Sequence, residues 1–169
     1  MMGRREGRQG QFFYSFNLDQ VVPADHLVRA VLGGHVHVGS GTFIGGNAAI
    51  HQFVRIGEGA MVGGVSGVTG NIVPFGFAKG QIAALAGLNV VGLRRRGVTR
   101  AALHQLRKAY QGLFFGDGVF ADRIDVVAAE FADDPLVQKI VAFVRAGGKR
   151  PLMHPNVKRG VEDKEGDAS

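Results

Sequence analysis

The sequence has no cysteine, a deficit of acidic side chains, and no long apolar run. Without cysteine there are neither disulfides nor thiolate metal sites. No stretch approaches the ~20 apolar residues of a membrane span, and the first apolar run is too short and interrupted for a signal peptide. These absences predict a soluble, cytoplasmic protein. Fourteen Asp and Glu stand against 20 Lys and Arg, giving a net charge of +6 and a pI near 10.2. That balance favours an anionic partner. The positive charge gathers at Arg4, Arg5 and Arg8, at Arg94 to Arg96 with Arg100, and at Lys149, Arg150, Lys158 and Arg159.

Glycine, by contrast, is abundant: 27 of 169 residues, with no collagen-like triplet to account for it. Much of it falls in a six-residue register running from Leu32 to Val73. An aliphatic residue heads each group at Leu32, Val38, Ile44, Ile50, Ile56, Val62 and Val68. A small or β-branched residue follows four places later, at Val36, Thr42, Ala48, Val54, Ala60, Ser66 and Ile72. The second place is glycine at Gly33, Gly39, Gly45, Gly57 and Gly63, read as corners whose backbone angles a Cβ would forbid. A fixed period of six predicts a parallel β-helix, one short strand and one corner per group, with coils stacked about 4.8 Å apart. Seven groups make little more than two coils, where a solenoid generally needs about three repeats.

The rest of the chain breaks this register. Residues 1–31 are expected to be an unrelated, partly disordered extension, with a short helix capped by Asp25. Residues 32–75 form the β-helix. Pro74 closes it, and 76–98 is expected to be a capping linker, with Phe75, Phe77, Ile82 and Leu85 folding over the open end. Residues 99–147 read as three helices. Thr99 caps the first, with Leu103, Leu106, Tyr110, Leu113 and Phe114 inward. The second carries Ile124, Val127, Ala128 and Phe131. The third opens at Asp134-Pro135 and buries Leu136, Ile140, Phe143 and Val144. Residues 148–169 read as a loose charged tail.

Two stretches carry a family resemblance: IGGNAAIHQFVRIGEGAMVGGVSGV at 44–68 and GLNVVGLRRRGVTRAALHQLRKAYQGLF at 87–114. They resemble the C-terminal half of the acyl-carrier-protein–UDP-N-acetylglucosamine O-acyltransferases, the family that starts lipid A synthesis. The resemblance covers roughly 32–146. It implies a left-handed β-helix followed by a helical bundle, a homotrimer with sites between subunits, and no metal or organic cofactor. The implied reaction transfers a 3-hydroxyacyl chain from acyl carrier protein to the 3-hydroxyl of UDP-N-acetylglucosamine, so those two molecules are the expected partners. Separately, Gln11 to Val31, with Phe12-Phe13, Leu18-Asp19 and Val22-Pro23-Ala24-Asp25-His26-Leu27, resembles the opening of insertion-sequence transposases. No carboxylate-metal core follows it.

Carried over residue by residue, the family pattern makes Gly34 the glycine whose amide serves the oxyanion. His35 and His51, with Gln52, become cleft residues, Asn89 a substrate contact, and Arg95 and Arg96 the pair near phosphate groups and carrier protein. Acyl transfer needs a base near neutrality within reach of the attacking hydroxyl and a donor for the charge that develops on the thioester oxygen. The family's base is a histidine upstream of the step that reads Gly33-Gly34-His35-Val36 here, and the segment before that step is unrelated. The general base is therefore unassigned, and the expectation is a truncated copy with weak or no activity. His35 and His51, sixteen residues apart, are expected within about 8 Å of each other on neighbouring coils. His37 has no family counterpart. Two alternatives accompany this reading: a non-enzymatic module that assembles with a full-length acyltransferase trimer, and a basic nucleic-acid-binding chimera, the latter disfavoured.

Overall fold

The computed structural model describes residues 32–156, so the readings made on 1–31 and 157–169 lie outside the described residues. Six two-residue strands follow one another at the hexad spacing: β1 His37–Val38, β2 Phe43–Ile44, β3 Ala49–Ile50, β4 Arg55–Ile56, β5 Met61–Val62 and β6 Gly67–Val68. Each strand ends on the aliphatic residue that heads a hexad. The parallel pairs are His37↔Arg55, Phe43↔Met61 and Ala49↔Gly67, so one coil is eighteen residues, three hexads forming three walls. The heads point inward with the fourth-following residues. Val36, Ala48, Ile50, Val54, Ile56, Ala60, Val62, Ser66, Val68 and Ile72 are all buried.

The glycines have a different reason from the one expected. Among the second-place residues none has a left-handed φ. A Cβ at Gly33, Gly39, Gly45 or Gly57 would instead stand closer than 3.0 Å to main-chain atoms of the next coil. The left-handed corners fall two places later, at His35, Gly41, Asn47, Phe53, Gly59 and Val65, with φ between 53° and 65°. Only two of the six are glycine. A side chain in this region is strained by about 1–2 kcal/mol relative to ordinary backbone. Corner bonds such as Phe53 N–H to the Gly34 carbonyl (3.0 Å) hold it there.

After Val68 the register shortens. The next pairings are Ile56↔Ile72 and Met61↔Phe77, sixteen residues apart instead of eighteen. Asn71 fills the resulting gap: its Oδ1 accepts the Arg55 N–H (2.8 Å), a bond the ladder no longer supplies. The expected linker is itself structured, an antiparallel hairpin of β7 Gly76–Lys79 and β8 Ala84–Leu88 followed by α1 Val90–Arg95. Phe75 and Leu85 are buried as expected, whereas Ile82 stands 89% exposed at the hairpin turn.

Three helices follow: α2 Arg100–Phe115, α3 Phe120–Glu130 and α4 Pro135–Arg145. Thr99 caps α2 through Oγ1 (3.2 Å to the Ala102 N–H), and Asp134 caps α4 (2.9 Å to Leu136). The α2 stripe is buried as read from its spacing. In α4 the deepest residues are Val137 and Val141, with Ile140 between them. The segment read as a loose tail is ordered through Asn156. Asn71 N–H bonds the Pro151 carbonyl (2.8 Å), Met153 N–H bonds the Asn71 carbonyl (2.8 Å) and Leu85 N–H bonds the His154 carbonyl (3.2 Å). Asn71 Nδ2 also donates to the Arg150 carbonyl (2.7 Å). Such pairing joins residues some eighty positions apart, which local composition does not signal.

Candidate functional site

The site is built on one corner of the tube. His35 occupies a left-handed turn (φ 57°), and one coil on, Phe53 occupies the equivalent turn (φ 65°). Equivalent backbone aims the two rings alike, and they stack at 5.2 Å with planes 3° apart. The ring over His35 is thus Phe53, not His51. With an eighteen-residue coil, His51 stands one coil from Gly33 instead. His51 and Gln52 leave the end of β3 and are exposed beside this stack.

Gly34 is exposed, and a Cβ placed there would meet no atom within 4 Å. Its carbonyl is taken by Phe53, while its N–H bonds no backbone carbonyl among the described residues. Such an N–H has the chemistry of an oxyanion donor. His37, on β1, is exposed opposite Arg55 in the strand register.

Two further side chains reach this wall from the segment that follows α4. Lys149 Nζ lies 4.5 Å over the Phe53 ring. Arg150 Nε donates to the Gln52 carbonyl (2.9 Å), and its Nη2 lies 2.5 Å from His51 Nδ1. By sequence alone both belong to the charged tail.

The Asn-Val-Val-Gly-Leu-Arg-Arg-Arg motif divides by position. Asn89 is buried and caps α1: Oδ1 accepts the Gly92 N–H (3.0 Å), and Nδ2 donates to the Gly59 carbonyl (3.0 Å). Gly92 is required because a Cβ there would collide with that amide. Asn89, expected as a substrate contact, thus bonds within the chain through both its amide oxygen and its amide nitrogen. Arg96 turns back onto the tube. Its Nη2 donates to the Gly41 carbonyl (2.6 Å), its Nη1 lies 3.8 Å from Glu58, and the guanidinium fills the space over Gly41 and Gly59.

Arg95 is exposed in the last turn of α1, where a cation suits the carbonyl end of a helix. Arg94 lines a cleft of about 500 Å³ with Arg100, His104 and Arg107. Sequence reasoning missed His104 and Arg107, although Arg100, His104 and Arg107 share the spacing of one helix face. The described residues bring no three His, Asp, Glu or Cys side chains together as a metal site, and none of their helices is long and apolar enough to cross a membrane.

Parallel short strands at a six-residue period, followed by a helical bundle, define a hexapeptide-repeat β-helix protein, and comparison with solved structures gives it the left-handed form. The chain superposes on the UDP-N-acetylglucosamine acyltransferase of Campylobacter jejuni with a TM-score of 0.67 and 35% identity, covering 74% of this chain and 48% of that one. The Arabidopsis enzyme of the same name gives 0.67 and 32%, covering 71% and 45%.

A protein-family model described as UDP N-acetylglucosamine O-acyltransferase, domain 2, matches residues 71–153. The acyl-[acyl-carrier-protein]–UDP-N-acetylglucosamine O-acyltransferase of Rhizobium rhizogenes is 39% identical over 127 residues, 75% of this chain and 47% of that protein. Its counterpart from Azorhizobium caulinodans is 50% identical over 95 residues, 56% and 34%. The chain is thus similar, through its tube and its helical bundle, to the C-terminal part of the UDP-N-acetylglucosamine O-acyltransferases. It spans about half the length of the curated relatives it matches.

Proposed function

We propose that this chain supplies the wall and the basic helical face of an acyl-transfer site. The reaction moves a 3-hydroxyacyl chain from acyl carrier protein to the 3-hydroxyl of UDP-N-acetylglucosamine. The observation that carries the reading is the single corner that sets His35, His51 and Gln52 beside the Gly34 amide, which bonds no backbone carbonyl among the described residues. Imidazoles and an exposed carboxamide offer donors and acceptors for a sugar nucleotide, and the Gly34 N–H is placed to receive charge from a thioester oxygen.

Arg94, Arg95, Arg100 and Arg107 form a cationic face suited to phosphate and to an acidic carrier. Asn89 and Arg96 serve indirectly, by holding α1 on the tube. His35 is stacked and His51 is in contact with a guanidinium, so neither is assigned as the base. Turnover by this chain alone is absent or very weak.

The test is calorimetric titration of the full chain with UDP-N-acetylglucosamine, beside a transfer assay with acylated carrier. Binding that weakens on His51→Ala, with little or no turnover, is expected. Rapid turnover abolished by His35→Ala or His51→Ala would place the base on this wall and overturn the assignment.

A second reading, assembly with further copies or with a full-length acyltransferase, is favoured by one observation. Phe43 and Val65 are 59% and 63% exposed on the tube, and Ile82 is 89% exposed at the hairpin. Apolar groups set outward along a solenoid suit burial against a neighbouring subunit. Sedimentation as a trimer, or co-purification with the full-length enzyme, is its expected outcome. A monomer at every concentration refutes it.

A further inference from the structure

Two stretches of chain build the wall that holds His35, His51 and Gln52: the start of the tube, and the run from α4 to Asn156. Neither contains an acid, since no Asp or Glu occurs in 32–57 or in 135–156. Among the described residues the carboxylates in ion pairs are Glu58, Asp125 and Glu130, and their partners are Arg96, Lys108, Lys139 and Arg145. No carboxylate therefore neutralises the cations of this wall. One of them, Arg55, is engaged elsewhere: its guanidinium lies 4.3 Å over the Phe143 ring and donates to the Gly147 carbonyl. Lys149 and Arg150 are not.

Their main chain is fixed, because Asn71 donates to the Arg150 carbonyl through Nδ2 (2.7 Å) and to the Pro151 carbonyl through its N–H (2.8 Å). Lys149 Nζ lies 4.5 Å over the Phe53 ring, the ring that stacks on His35. Arg150 Nε donates to the Gln52 carbonyl at 2.9 Å. Its terminal N–H groups stand beside the His51 ring and meet no oxygen acceptor among the described residues. We infer that Lys149 and Arg150 form a diphosphate subsite, which takes the phosphoric anhydride of a nucleoside diphosphate sugar next to His51 and Gln52.

Neighbouring positive groups repel, and with no carboxylate on the wall an anion relieves that repulsion. A guanidinium held through Nε presents its remaining N–H groups as a fork that fits two oxygens of one phosphate. An ammonium is a compact charge with rotatable donors, suited to the second phosphate. Phe53 and Gln52, which the two side chains contact, are adjacent residues, so the two cations stand side by side as linked phosphates do. An acid-free wall also draws anions toward it before they dock. Naming a sugar nucleotide as the ligand rests on the function proposed above, whereas the diphosphate subsite does not.

The test is calorimetric titration of the full chain with UDP-N-acetylglucosamine and, separately, with inorganic pyrophosphate. Lys149→Ala and Arg150→Ala are each expected to weaken both ligands about fivefold, and the double variant about twentyfold. Lys149→Arg keeps the charge and should keep most of the affinity. Rising salt should weaken binding to the unaltered chain more steeply than to the double variant. Lys108→Ala removes the same single charge from a residue paired with Glu130, and is expected to leave both affinities unchanged. Lys149→Ala breaks none of the main-chain ties, so it decides the matter even if Arg150→Ala unfolds.

Pyrophosphate bound with parental affinity by Lys149→Ala and by the double variant overturns the inference, as does an equal loss in Lys108→Ala. If UDP-N-acetylglucosamine binds and the double variant does not weaken it, the subsite falls and the function proposed above stands. If the unaltered chain binds pyrophosphate through these two residues but not the sugar nucleotide, that function falls and the subsite stands. If it binds neither, both fall.

Discussion

Gly45 and Gly46 are adjacent, and alanine at the two is expected to act in opposite directions. A Cβ on Gly45 would lie 2.5 Å from the Gly64 nitrogen and 2.9 Å from the Gly63 carbonyl carbon and Gly64 Cα, all main chain of the next coil. A Cβ on Gly46 would meet nothing within 4 Å. Neither glycine has a left-handed φ, so contact alone separates them. Relieving the Gly45 contact requires the neighbouring coil to withdraw from 2.5 Å to beyond 3.0 Å. That spacing is held by Gly45 N–H to the Val62 carbonyl (2.8 Å) and Val65 N–H to the Gly46 carbonyl (3.0 Å). Overpacking costs about 1–3 kcal/mol, toward the upper end where backbone must move, and a weakened ladder bond adds about 1 kcal/mol. A loss of about 3 kcal/mol lowers the melting midpoint by roughly 6–12 °C in a chain of this size. Gly46→Ala restricts the unfolded chain without strain and is expected to be neutral or to stabilise by about 0.5 kcal/mol. Paired thermal melts and urea titrations followed by circular dichroism measure both. If Gly46→Ala falls as far as Gly45→Ala, or Gly45→Ala melts with the parent, the coil-contact reasoning is wrong.

Asn71→Ala leaves the Arg55 N–H without its acceptor and unties the Arg150 carbonyl. A loss of about 2–3 kcal/mol is expected, with faster hydrogen exchange at Met153 and Leu85, and unaltered exchange there would refute the anchoring. Val65 holds a β-branched side chain at φ 53° while 63% exposed. Val65→Asn, matching Asn47 one coil earlier, should stabilise by about 0.5–1 kcal/mol, read as an upward shift in urea midpoint. His154 packs edge-on against Phe114 and Phe120, and burial, then the charge of Arg123, holds its pKa below the usual 6.5. The folded form prefers the neutral ring. Its contribution is whole above about 6.5 and is lost as pH falls toward the folded value, because the unfolded chain takes up the proton first. His154→Gln should flatten that part of the stability–pH profile, and an identical slope would refute the assignment.

The tube was legible because burial and period coincide: every sixth residue must be apolar if it is to face inward, and Ile50, Ile56, Val62 and Val68 are. The left-handed corners were not legible, because His35, Gly41, Asn47, Phe53, Gly59 and Val65 share a backbone state but no chemistry. The hairpin was read as linker because Gly76–Lys79 and Ala84–Leu88 are rich in glycine and alanine, residues depleted in strands. At the site, His35, His51, Gln52 and Gly34 came from the resemblance. Phe53 stands over His35 at the eighteen-residue spacing that three hexads imply, whereas Arg150 reaches the same wall from far along the sequence, which no spacing rule anticipates.

The three arginines at 94–96 show why a charge run cannot be given one function. Successive helix positions point about 100° apart, so Arg94, Arg95 and Arg96 reach different surroundings. Arg94 joins the cationic cleft, Arg95 stays exposed, and Arg96 returns to the tube, where the absent Cβ atoms of Gly41 and Gly59 leave room for its guanidinium. Glu58 then contacts both Arg96 and Lys139 (2.7 Å), tying α1 and α4 to the same corner of the coil. Asn71 ties the segment at 150–155, which bridges it at Leu152, to another wall. Singly, half-exposed ion pairs contribute about 1 kcal/mol or less. Combined with that segment they fix where the helical face stands relative to the imidazoles. On the function proposed above, the spacing between cationic cleft and imidazole wall is set by residues outside both, and Glu58→Ala is expected to weaken binding of UDP-N-acetylglucosamine in a calorimetric titration, with unchanged affinity refuting the tie.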